Sequence, residues 1–330
     1  IPGEELKYIS KAISNGHISG DGEFTKKCKE ILIEALSIEN LLLTTSCTSA
    51  LEMSAILLNI KPGDEVIVPS FTFVSTINAF VMRGAVPIFA DIKSDTLNID
   101  EGLLPELITN RTKAIIIVHY AGVACEMDTI LDIASKRKIS VIEDNAHGLF
   151  GKYKNKFLGT FGELAAQSFH ETKNFSCGEG GALIINNKTY LDRAEIIREK
   201  GTNRSRFFRG DIDKYSWVDI GSSFLPSDIL AAFLFGQLEQ KDEIQKKRKE
   251  IWEYYYSGLE KWAKNNNIKL PFVPSYCDQA YHMFYLIMPS LKSRTRLIKY
   301  LTKNNFIPTF HYLPLHLSSM GKKYNGDRAN

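Results

Sequence analysis

The sequence predicts an α/β fold in which helices flank a mostly parallel central sheet and a smaller C-terminal α/β unit follows. Three observations support this prediction. Short apolar runs alternate with helical patterns over about the first two hundred residues, as in βαβ units. The run Ala114–Val118 contains only Ala, Ile and Val, which is typical of a strand buried on both faces. After Ser227 a long helical pattern replaces the alternation and leads into a second unit.

Each strand is predicted from a short apolar run, and each helix from apolar residues that recur with a period of about 3.6. The predicted strands are Leu41–Thr44, Glu65–Pro69, Val86–Ala90, Ala114–Val118, Ser140–Glu143, Ala165–Phe169 and Ala182–Ile185. The predicted helices are Thr48–Leu58, Val74–Met82, Glu101–Ile108 and Met127–Arg137. Repeated strand–helix–strand units of this kind give parallel strands joined by right-handed crossovers.

Two segments depart from this rhythm. The polar, Gly-rich segment His170–Gly181 separates the last two strands, and segments that interrupt a sheet in this way often carry function. Residues Lys200–Asp219 are rich in Arg, Asp and aromatic side chains, which predicts a long loop.

The C-terminal part has its own helix and strand signals, a strand at Met283–Met288 and a helix at Arg294–Leu301. We therefore expect a large domain of residues 1–240 and a small domain of residues 241–330. The chain begins at Ile1 rather than Met and ends in the polar stretch Gly321 to Asn330. We expect both ends, and with them the small domain, to be incomplete.

Composition and charge indicate which kinds of molecule the protein can bind. The net charge of +3 is spread along the 330 residues, which suits an anionic small substrate and gives no case for a nucleic-acid or membrane partner. The basic run Lys246–Lys249 lies within a helical pattern and is read as a solvated helix face. No apolar run approaches the roughly 18–20 residues that span a bilayer.

The cysteines indicate neither a metal site nor a disulfide framework. They are five in number, scattered, and without CxxC spacing. Free thiols are typical of a reducing compartment, so a cytoplasmic location is expected.

Ligands of open α/β sheets bind beyond the carboxyl ends of the strands, so the residues that follow each predicted strand are candidates for a site. Ser46–Ala50 follows the first strand and opens a helix, where free N–H groups favour a phosphate, although an ordinary N-cap has the same composition. Phe73 follows the second strand and could lie on a planar cofactor or pack in the core.

Two further strands end in titratable residues. Asp144 could face a protonated ring nitrogen or cap a helix, and His147 could be a cofactor contact or a satisfied histidine. Lys173 could form a Schiff base with an aldehyde cofactor or lie in solvent. The stretch Gly178–Gly181 fits a tight turn as well as a close approach to a cofactor.

In combination these residues match pyridoxal 5'-phosphate (PLP). A phosphate site, a stacking aromatic, a carboxylate and a lysine occur in that chain order, each at a strand end of one sheet. These are the contacts that the phosphate, the ring face, the ring nitrogen and the aldehyde of PLP require. The sequence therefore predicts a PLP enzyme in which Lys173 holds the cofactor.

Seven segments carry a more specific resemblance: PSFTFVST (Pro69–Thr76), HYAGVACEMDTI (His119–Ile130), SFHETKN (Ser168–Asn174), GEGGA (Gly178–Ala182), REKGTNRS (Arg198–Ser205), FFRGDIDKYSW (Phe207–Trp217) and DIGSSFLPSD (Asp219–Asp228). On these segments the chain resembles the DegT/DnrJ/EryC1/StrS sugar-nucleotide aminotransferases of PLP fold type I. The resemblance runs from about Gly3 to Gly321. Within the family it is greatest to the transaminases that aminate C4 of dTDP-4-keto-6-deoxyhexoses.

The resemblance implies a role for each matching residue. Lys173 corresponds to the Schiff-base lysine that also moves the proton, and Asp144 to the partner of the ring nitrogen. Phe73 corresponds to the stacking residue, and His147 to a residue near the phenolic oxygen. The phosphate-binding positions are occupied by Thr48, Ser49 and Ser168, with Ser222 and Ser223 where many members have an Asn from the second subunit.

The implied reaction transfers the amino group of L-glutamate to C4 of dTDP-4-keto-6-deoxy-D-glucose. The product, dTDP-4-amino-4,6-dideoxy-D-galactose, would serve the synthesis of cell-surface polysaccharide such as enterobacterial common antigen. A homodimer with shared active sites is implied. Candidate contacts to the diphosphate are Arg204, Arg206 and Arg209, which could equally be solvated or form dimer salt bridges, and candidate contacts to the sugar are His311, Tyr312 and His316.

Four alternatives are weighed against this function. An aminotransferase for C3-keto sugars is poorly separated by sequence. A PLP-dependent sugar dehydratase would have His in place of Lys173. A nicotinamide enzyme would need GxGxxG after the first strand, where Ser46–Leu51 has no glycine. A PLP-binding regulator would need a DNA-binding module, and none fits in this chain.

Overall fold

The computed structural model describes residues 3–324, and its elements are numbered in chain order. The α-helices are α1 (Glu5–Ser14), α2 (Glu23–Leu36), α3 (Cys47–Leu57), α4 (Ser75–Val81), α5 (Leu104–Leu107), α6 (Met127–Arg137), α7 (Leu191–Arg198), α8 (Arg204–Arg209), α9 (Asp228–Glu239), α10 (Lys241–Asn265) and α11 (Leu291–Lys303). The strands are β1 (Leu41–Thr44), β2 (Glu65–Pro69), β3 (Val86–Ala90), β4 (Thr112–Val118), β5 (Ser140–Asp144), β6 (Lys152–Tyr153), β7 (Lys156–Phe157), β8 (Leu164–Ser168), β9 (Gly181–Ile185) and β10 (Cys277–Asp278).

A seven-stranded sheet in the order β1-β9-β8-β5-β4-β2-β3 forms the centre of the molecule. Five neighbouring strands, β8, β5, β4, β2 and β3, are paired in parallel, whereas β9 is antiparallel to both β1 and β8. The predicted mostly parallel sheet with flanking helices is therefore confirmed. A small antiparallel sheet, β10-β6-β7, lies apart from it.

The strands are buried on both faces because alternate side chains enter different helical layers. On one face, Leu42 and Ile116 belong to a cluster with residues of α3, α4 and α7. On the other face, Leu41 packs with residues of α1, α2 and α9, whereas Ile115 packs with residues of α5 and α6. Continuous apolar strands with no polar face are what such a covered sheet requires.

The predicted strands of the central sheet agree with the structure to within about two residues at each end, whereas the helical elements show several differences. Residues 101–108 form a short 3-10 turn followed by α5, rather than a single helix. Helices α1 and α2 precede the first predicted strand and did not form part of the strand–helix rhythm.

The segment Lys200–Asp219 is not entirely a loop, because it contains α8. Two side chains of this short helix form ion pairs with α7, Arg206 with Asp192 at 2.6 Å and Arg209 with Glu195 at 2.8 Å. Gly210, with a φ of +82°, ends the helix in the left-handed region. The loop prediction was therefore wrong for Arg204–Arg209 only, where ion pairs between residues 14 positions apart support a helix that no local pattern marks.

The long C-terminal helical pattern consists of two helices, α9 and α10, that meet at Gln240. Gln240 is the last residue of the predicted large domain, and that division remains a prediction. Residues 1–2 and 325–330, which belong to the two predicted domains, lie outside the described residues.

The predicted strand Met283–Met288 is not formed in the structure. Its backbone pairs at one isolated bridge, between Lys269 and Ile287. The facing segment contains Pro271 and Pro274, which have no N–H to continue a ladder of hydrogen bonds. Within residues 3–324 no helix combines the length and the apolar character needed to cross a membrane.

Candidate active site

The carboxyl ends of β1, β2, β4, β5 and β8 lie along one edge of the central sheet. The segments that follow these strands contain the predicted site residues, from Thr48 after β1 to Lys173 after β8. A candidate site at this edge is the arrangement expected for an open α/β sheet.

The start of α3 is shaped as an anion site. Ser46 caps the helix by accepting the N–H of Ser49 at 3.0 Å, and the Ser49 hydroxyl lies 2.8 Å from that of Thr45. The helix itself offers no acceptor to the N–H groups of Cys47 and Thr48, because they belong to its first turn. Two backbone donors and the positive end of an eleven-residue helix can therefore bind a phosphate.

The glycines of the GEGG stretch are explained by the backbone around them. Gly178 turns the chain with a φ of +85°. Gly181 lies against the start of α3, where an added Cβ would stand 2.3 Å from the carbonyl carbon of Ser46. Gly181 therefore allows β9 to pass close to the candidate phosphate site.

We predict that Gly181→Ala destabilises the protein by about 3 kcal/mol, because the new methyl group meets backbone atoms that cannot rotate away. Urea denaturation measures the change. Gly258→Ala is the matched control, since Gly258 lies in α10 with open space around it. That control should stabilise the protein by about 0.5–1 kcal/mol, and equal effects of the two changes would contradict the packing argument.

Lys173 lies in the loop between β8 and β9 and is half-buried. Within residues 3–324 its amine has neither an ion pair nor a hydrogen-bond partner. Burial lowers the pKa of this amine, although the negative charge of Asp144 opposes the shift. A lowered pKa leaves more of the amine neutral at a given pH, which suits a nucleophile or a base.

Asp144, at the end of β5, is a buried carboxylate that is 5% exposed. It accepts the hydroxyl of Thr76 at 2.7 Å and the N–H of Ala146 at 3.2 Å, but no ion pair to it exists in the described part of the chain. Burial raises the pKa of this carboxyl, and the two hydrogen bonds offset only part of the effect. A cationic ligand group would supply the charge that the site itself lacks.

His147 is buried and neutral. Its Nδ1 accepts the N–H of Ala121 at 3.3 Å, so the neutral ring carries its proton on Nε2 and can donate it. Burial, together with the nearby charge of Lys173, holds the pKa of His147 well below its usual range. The ring is stacked on that of His282, with 4.2 Å between centroids.

Aromatic rings form one wall of the site. The Phe73 ring is 58% exposed and lies 6.4 Å from the ring of Tyr312. Phe71 and Tyr120 lie deeper, with Tyr120 4% exposed and its hydroxyl 3.0 Å from Nδ1 of His311. The exposed face of Phe73 is available for a planar ligand.

The C-terminal segment brings the three predicted sugar contacts, His311, Tyr312 and His316, to the same edge. Nδ1 of His316 lies 2.6 Å from the hydroxyl of Ser70, and the N–H of Leu315 donates to the Ser70 carbonyl at 2.8 Å. Tyr312 stacks on His311 at 4.2 Å, and burial, with the negative charge of Asp144, raises the pKa of the Tyr312 hydroxyl.

The predicted diphosphate contacts lie elsewhere in the chain. Arg206 and Arg209 are paired with acidic residues of α7, and the guanidinium of Arg204 lies over the ring of Phe208 at 5.0 Å. None of these contacts within residues 3–324 involves Lys173 or Asp144. In a single chain, the structure does not bring the three arginines to the candidate site.

The remaining predicted phosphate contacts differ in their burial. Ser168, the last residue of β8, is buried and its hydroxyl accepts the N–H of His170 at 3.4 Å. Ser222 and Ser223 are exposed, and their backbone groups pair with the end of α7 and the residues after it. The carbonyl of the next residue, Phe224, accepts the N–H of Thr45 at 2.9 Å, so this segment passes beside the start of α3.

Comparison with known proteins decides the class. A model of the DegT/DnrJ/EryC1/StrS aminotransferase family matches residues 1–330. The chain belongs to this family. GDP-perosamine synthase of Escherichia coli O157:H7 is 32% identical over 295 residues, which are 89% of this chain and 76% of that protein.

Two solved structures show the same fold. The aminotransferase TlmJ from Streptoalloteichus hindustanus superimposes with a TM-score of 0.89 at 28% identity, covering 97% of this chain and 86% of that one. Spr1654 from Streptococcus pneumoniae in its PLP form gives a TM-score of 0.88 at 26% identity, covering 98% and 88%. The predicted PLP fold type I is confirmed.

Aminotransferases of the DegT/DnrJ/EryC1/StrS family depend on PLP, so the predicted enzyme class and cofactor are confirmed. The structure itself shows why the side chains of Asp144 and Lys173 fit this cofactor. In the described residues, the buried carboxylate of Asp144 has hydrogen bonds but no cationic partner, and the half-buried amine of Lys173 has no partner. A cationic ring nitrogen and an aldehyde would supply those partners. No cluster of three or more His, Cys, Asp or Glu side chains in residues 3–324 is arranged to hold a metal ion.

Sequence reasoning missed several residues at the site. Tyr120 lies inside the segment His119–Ile130 that carries the family resemblance, so a signal for it existed. Cys47, whose sulfur lies 4.0 Å from Oδ1 of Asp144, was visible only as a neighbour of Thr48. His282 could not be found from the sequence, because it follows none of the predicted strands of the central sheet.

Proposed function

We propose that this chain transfers the amino group of L-glutamate to C4 of dTDP-4-keto-6-deoxy-D-glucose, giving dTDP-4-amino-4,6-dideoxy-D-galactose for cell-surface polysaccharide. Family membership gives the reaction class, amino transfer to a sugar. One observation carries the residue roles. Within the described residues the amine of Lys173 has no partner and the carboxylate of Asp144 has no ion pair, and the two lie close enough at one sheet edge for each to shift the pKa of the other.

Lys173 is proposed to hold the cofactor and to move the proton. When bound, PLP supplies an aldehyde that links to amines and a cationic ring that withdraws electrons from the neighbouring carbon. Once displaced by the donor amine, the amine of Lys173 takes a proton from one carbon and returns it to another. Its lowered pKa favours the neutral form that this work requires.

Asp144 and His147 are proposed to hold two polar groups of the cofactor ring. The Asp144 carboxylate would pair with the ring nitrogen and keep it charged, and that positive charge would oppose the raised pKa of the buried carboxyl. His147 would donate a hydrogen bond from its Nε2–H to the phenolic oxygen. Thr48 and Ser49, at the start of α3, bind the phosphate together with Ser168.

The sugar nucleotide is proposed to bind beyond Phe73, against the wall formed by His311, Tyr312 and His316. The arginines Arg204, Arg206 and Arg209 are exposed and lie outside this wall in one chain. A homodimer would bring the partner's arginines and Ser223 to the site. Exposed aromatic side chains near α8, among them Trp217 at 79% exposure, support a covered surface there.

We predict that Phe73→Ala raises the dissociation constant for PLP roughly tenfold, because ring stacking and the area it covers are lost. Some turnover should remain at saturating PLP, since Lys173 and Asp144 are untouched. A fluorescence titration of cofactor-free protein with PLP measures the change. Phe73→Tyr keeps the ring and is the control, so equal losses in the two variants would exclude stacking.

The test of the function is a visible absorption spectrum of the PLP-loaded protein, recorded before and after L-glutamate and then after the keto sugar. We expect the band of the lysine-bound cofactor to bleach with glutamate and to return with dTDP-4-keto-6-deoxyglucose. Bleaching without recovery would support a glutamate-dependent transaminase but contradict dTDP-4-keto-6-deoxyglucose as its acceptor. Absence of the band would contradict the proposal that Lys173 binds the cofactor.

One observation favours a different nucleotide on the acceptor sugar. GDP-perosamine synthase is 32% identical to this chain, so a GDP-linked keto sugar is the competing acceptor. The same experiment distinguishes the two, because the band should return faster with the correct nucleotide at equal concentration. A C3-keto sugar supplied in parallel tests the position of the ketone.

A further inference from the structure

The segment of residues 279–282, here called the strap, crosses from β10 to the candidate active site. The N–H of Ala280 donates to the carbonyl of Gly122 at 3.0 Å. Gly122 permits this approach, because it has a φ of +86° and an added Cβ would stand 2.8 Å from that of Ala280. Two side chains of α10 bind the strap from the other side. Gln245 donates a hydrogen bond to the Ala280 carbonyl at 2.9 Å, and Arg248 donates one to the His282 carbonyl at 2.7 Å.

The strap is tied to the loop that carries Lys173. Asn174, the next residue along, is buried and donates its Nδ2 to the carbonyl of Ala280 at 2.7 Å. A carbonyl can only accept, so this bond fixes the orientation of the amide. Oδ1 of Asn174 must then be the acceptor from Nδ1 of His282, at 2.9 Å.

The proton positions on the two stacked rings follow from these bonds. His282 carries its proton on Nδ1, whereas His147 carries its own on Nε2 because its Nδ1 accepts from Ala121. The rings are 4.2 Å apart and inclined by 20°. Each neutral ring is therefore held in one tautomer by a separate part of the chain, and the His282 ring limits where the His147 ring can turn.

We propose that His282 is a positioning residue of the active site: its hydrogen bond to Asn174 fixes the loop of Lys173, and its ring fixes the orientation of His147. The proposal rests on the proposed roles of Lys173 and His147. It goes beyond them because it connects both groups to one side chain of the strap and, through Arg248, to α10.

The kinetic test uses the PLP-loaded protein and follows the half-reaction with L-glutamate in a stopped-flow spectrometer. His282→Ala should lower the rate constant about 10- to 100-fold, since small displacements of reacting groups cost this much. His282→Asn can again donate to Asn174 and should recover a large part of the loss. His17→Ala, a change of an exposed histidine after α1, is the control and should leave the rate unchanged.

A double mutant separates positioning from general damage. If His282 acts on Lys173 through Asn174, then Asn174→Ala combined with His282→Ala should be little slower than His282→Ala alone. Independent, multiplied losses would overturn the connection. A rate for His282→Ala within about threefold of the wild type would overturn the proposal itself.

A second readout needs neither the cofactor nor activity. The chain has seven histidines, so selective ¹⁵N labelling of their rings gives a resolvable NMR spectrum. In cofactor-free wild type we expect His147 as the Nε2-protonated tautomer, and in His282→Ala its ring nitrogens should shift toward exchange between tautomers. An unchanged His147 signal would contradict the stacking claim. Should His282→Ala fail to fold, His282→Asn and Asn174→Ala give the same comparison.

The two readouts keep this inference separate from the proposed function. If the wild type shows no lysine-bound cofactor band, the proposed function fails while the NMR comparison still decides the positioning claim. If the wild type transaminates and the His282 variants match it in both rate and spectrum, only the positioning claim fails.

Discussion

Lys173→Ala is expected to lower kcat for amino transfer by about 10⁴-fold, because it removes both the covalent attachment point and the proton carrier. The fold should survive. The amine has no partner within the described residues, and its burial already disfavours the charged form. Steady-state assays with L-glutamate, together with thermal melts of the same samples, measure the two expectations.

Two further variants sharpen this experiment. Lys173→Arg keeps a cation but has no nucleophilic amine, so it should be as inactive as the alanine variant. Lys246→Ala changes an exposed lysine of α10 and should behave as the wild type. Turnover of Lys173→Ala near the wild-type rate would remove Lys173 from the mechanism.

Asp144→Asn is expected to lower kcat by about 10²-fold or more, because a neutral amide cannot hold the charge of the ring nitrogen. The same change should stabilise the cofactor-free protein by about 1 kcal/mol at neutral pH, a gain typical of relieving a strained functional site. Activity and stability therefore move in opposite directions.

The sign of the stability effect follows from the raised pKa of Asp144. Between the ordinary aspartate pKa and the raised one, the folded state binds more protons than the unfolded state. The stability of the cofactor-free protein therefore falls as the pH rises through that window, and Asp144→Asn should abolish this contribution. Urea denaturation at several pH values checks it, with Asp242→Asn as an exposed control.

Unchanged kinetics in Asp144→Asn would mean that Asp144 serves only as a hydrogen-bond acceptor for Thr76 and Ala146. A fall in activity without the gain in stability would mean that the carboxyl already finds a partner in the cofactor-free protein.

The central sheet and the positions of Asp144 and Lys173 could be predicted because both depend on local pattern. Apolar runs mark the strands, and a parallel sheet places all their carboxyl ends at one edge. The helix α8 could not be predicted in this way, since its ion pairs with α7 connect residues 14 positions apart in sequence.

The contribution of the C-terminal part was predicted only in outline. His311, Tyr312 and His316 came from the family resemblance, whereas His282 reaches Asn174 from 108 residues away. No periodicity encodes such a contact. It exists because Gly122 lets the strap lie directly on the sheet edge.

The place of β1 in the sheet has a consequence for how the protein is made. Its ladder partner in the central sheet is β9, with Leu41 opposite Ile184, so the strand that leads into the candidate phosphate site has no ladder partner until the ribosome has passed residue 184. At about 5–20 residues per second, the interval between synthesis of the two strands is roughly 7–30 s. During that time β1 is an unpaired apolar strand that can pair with other chains, and of the helices that pack with its Leu41 only α1 and α2 have already been made.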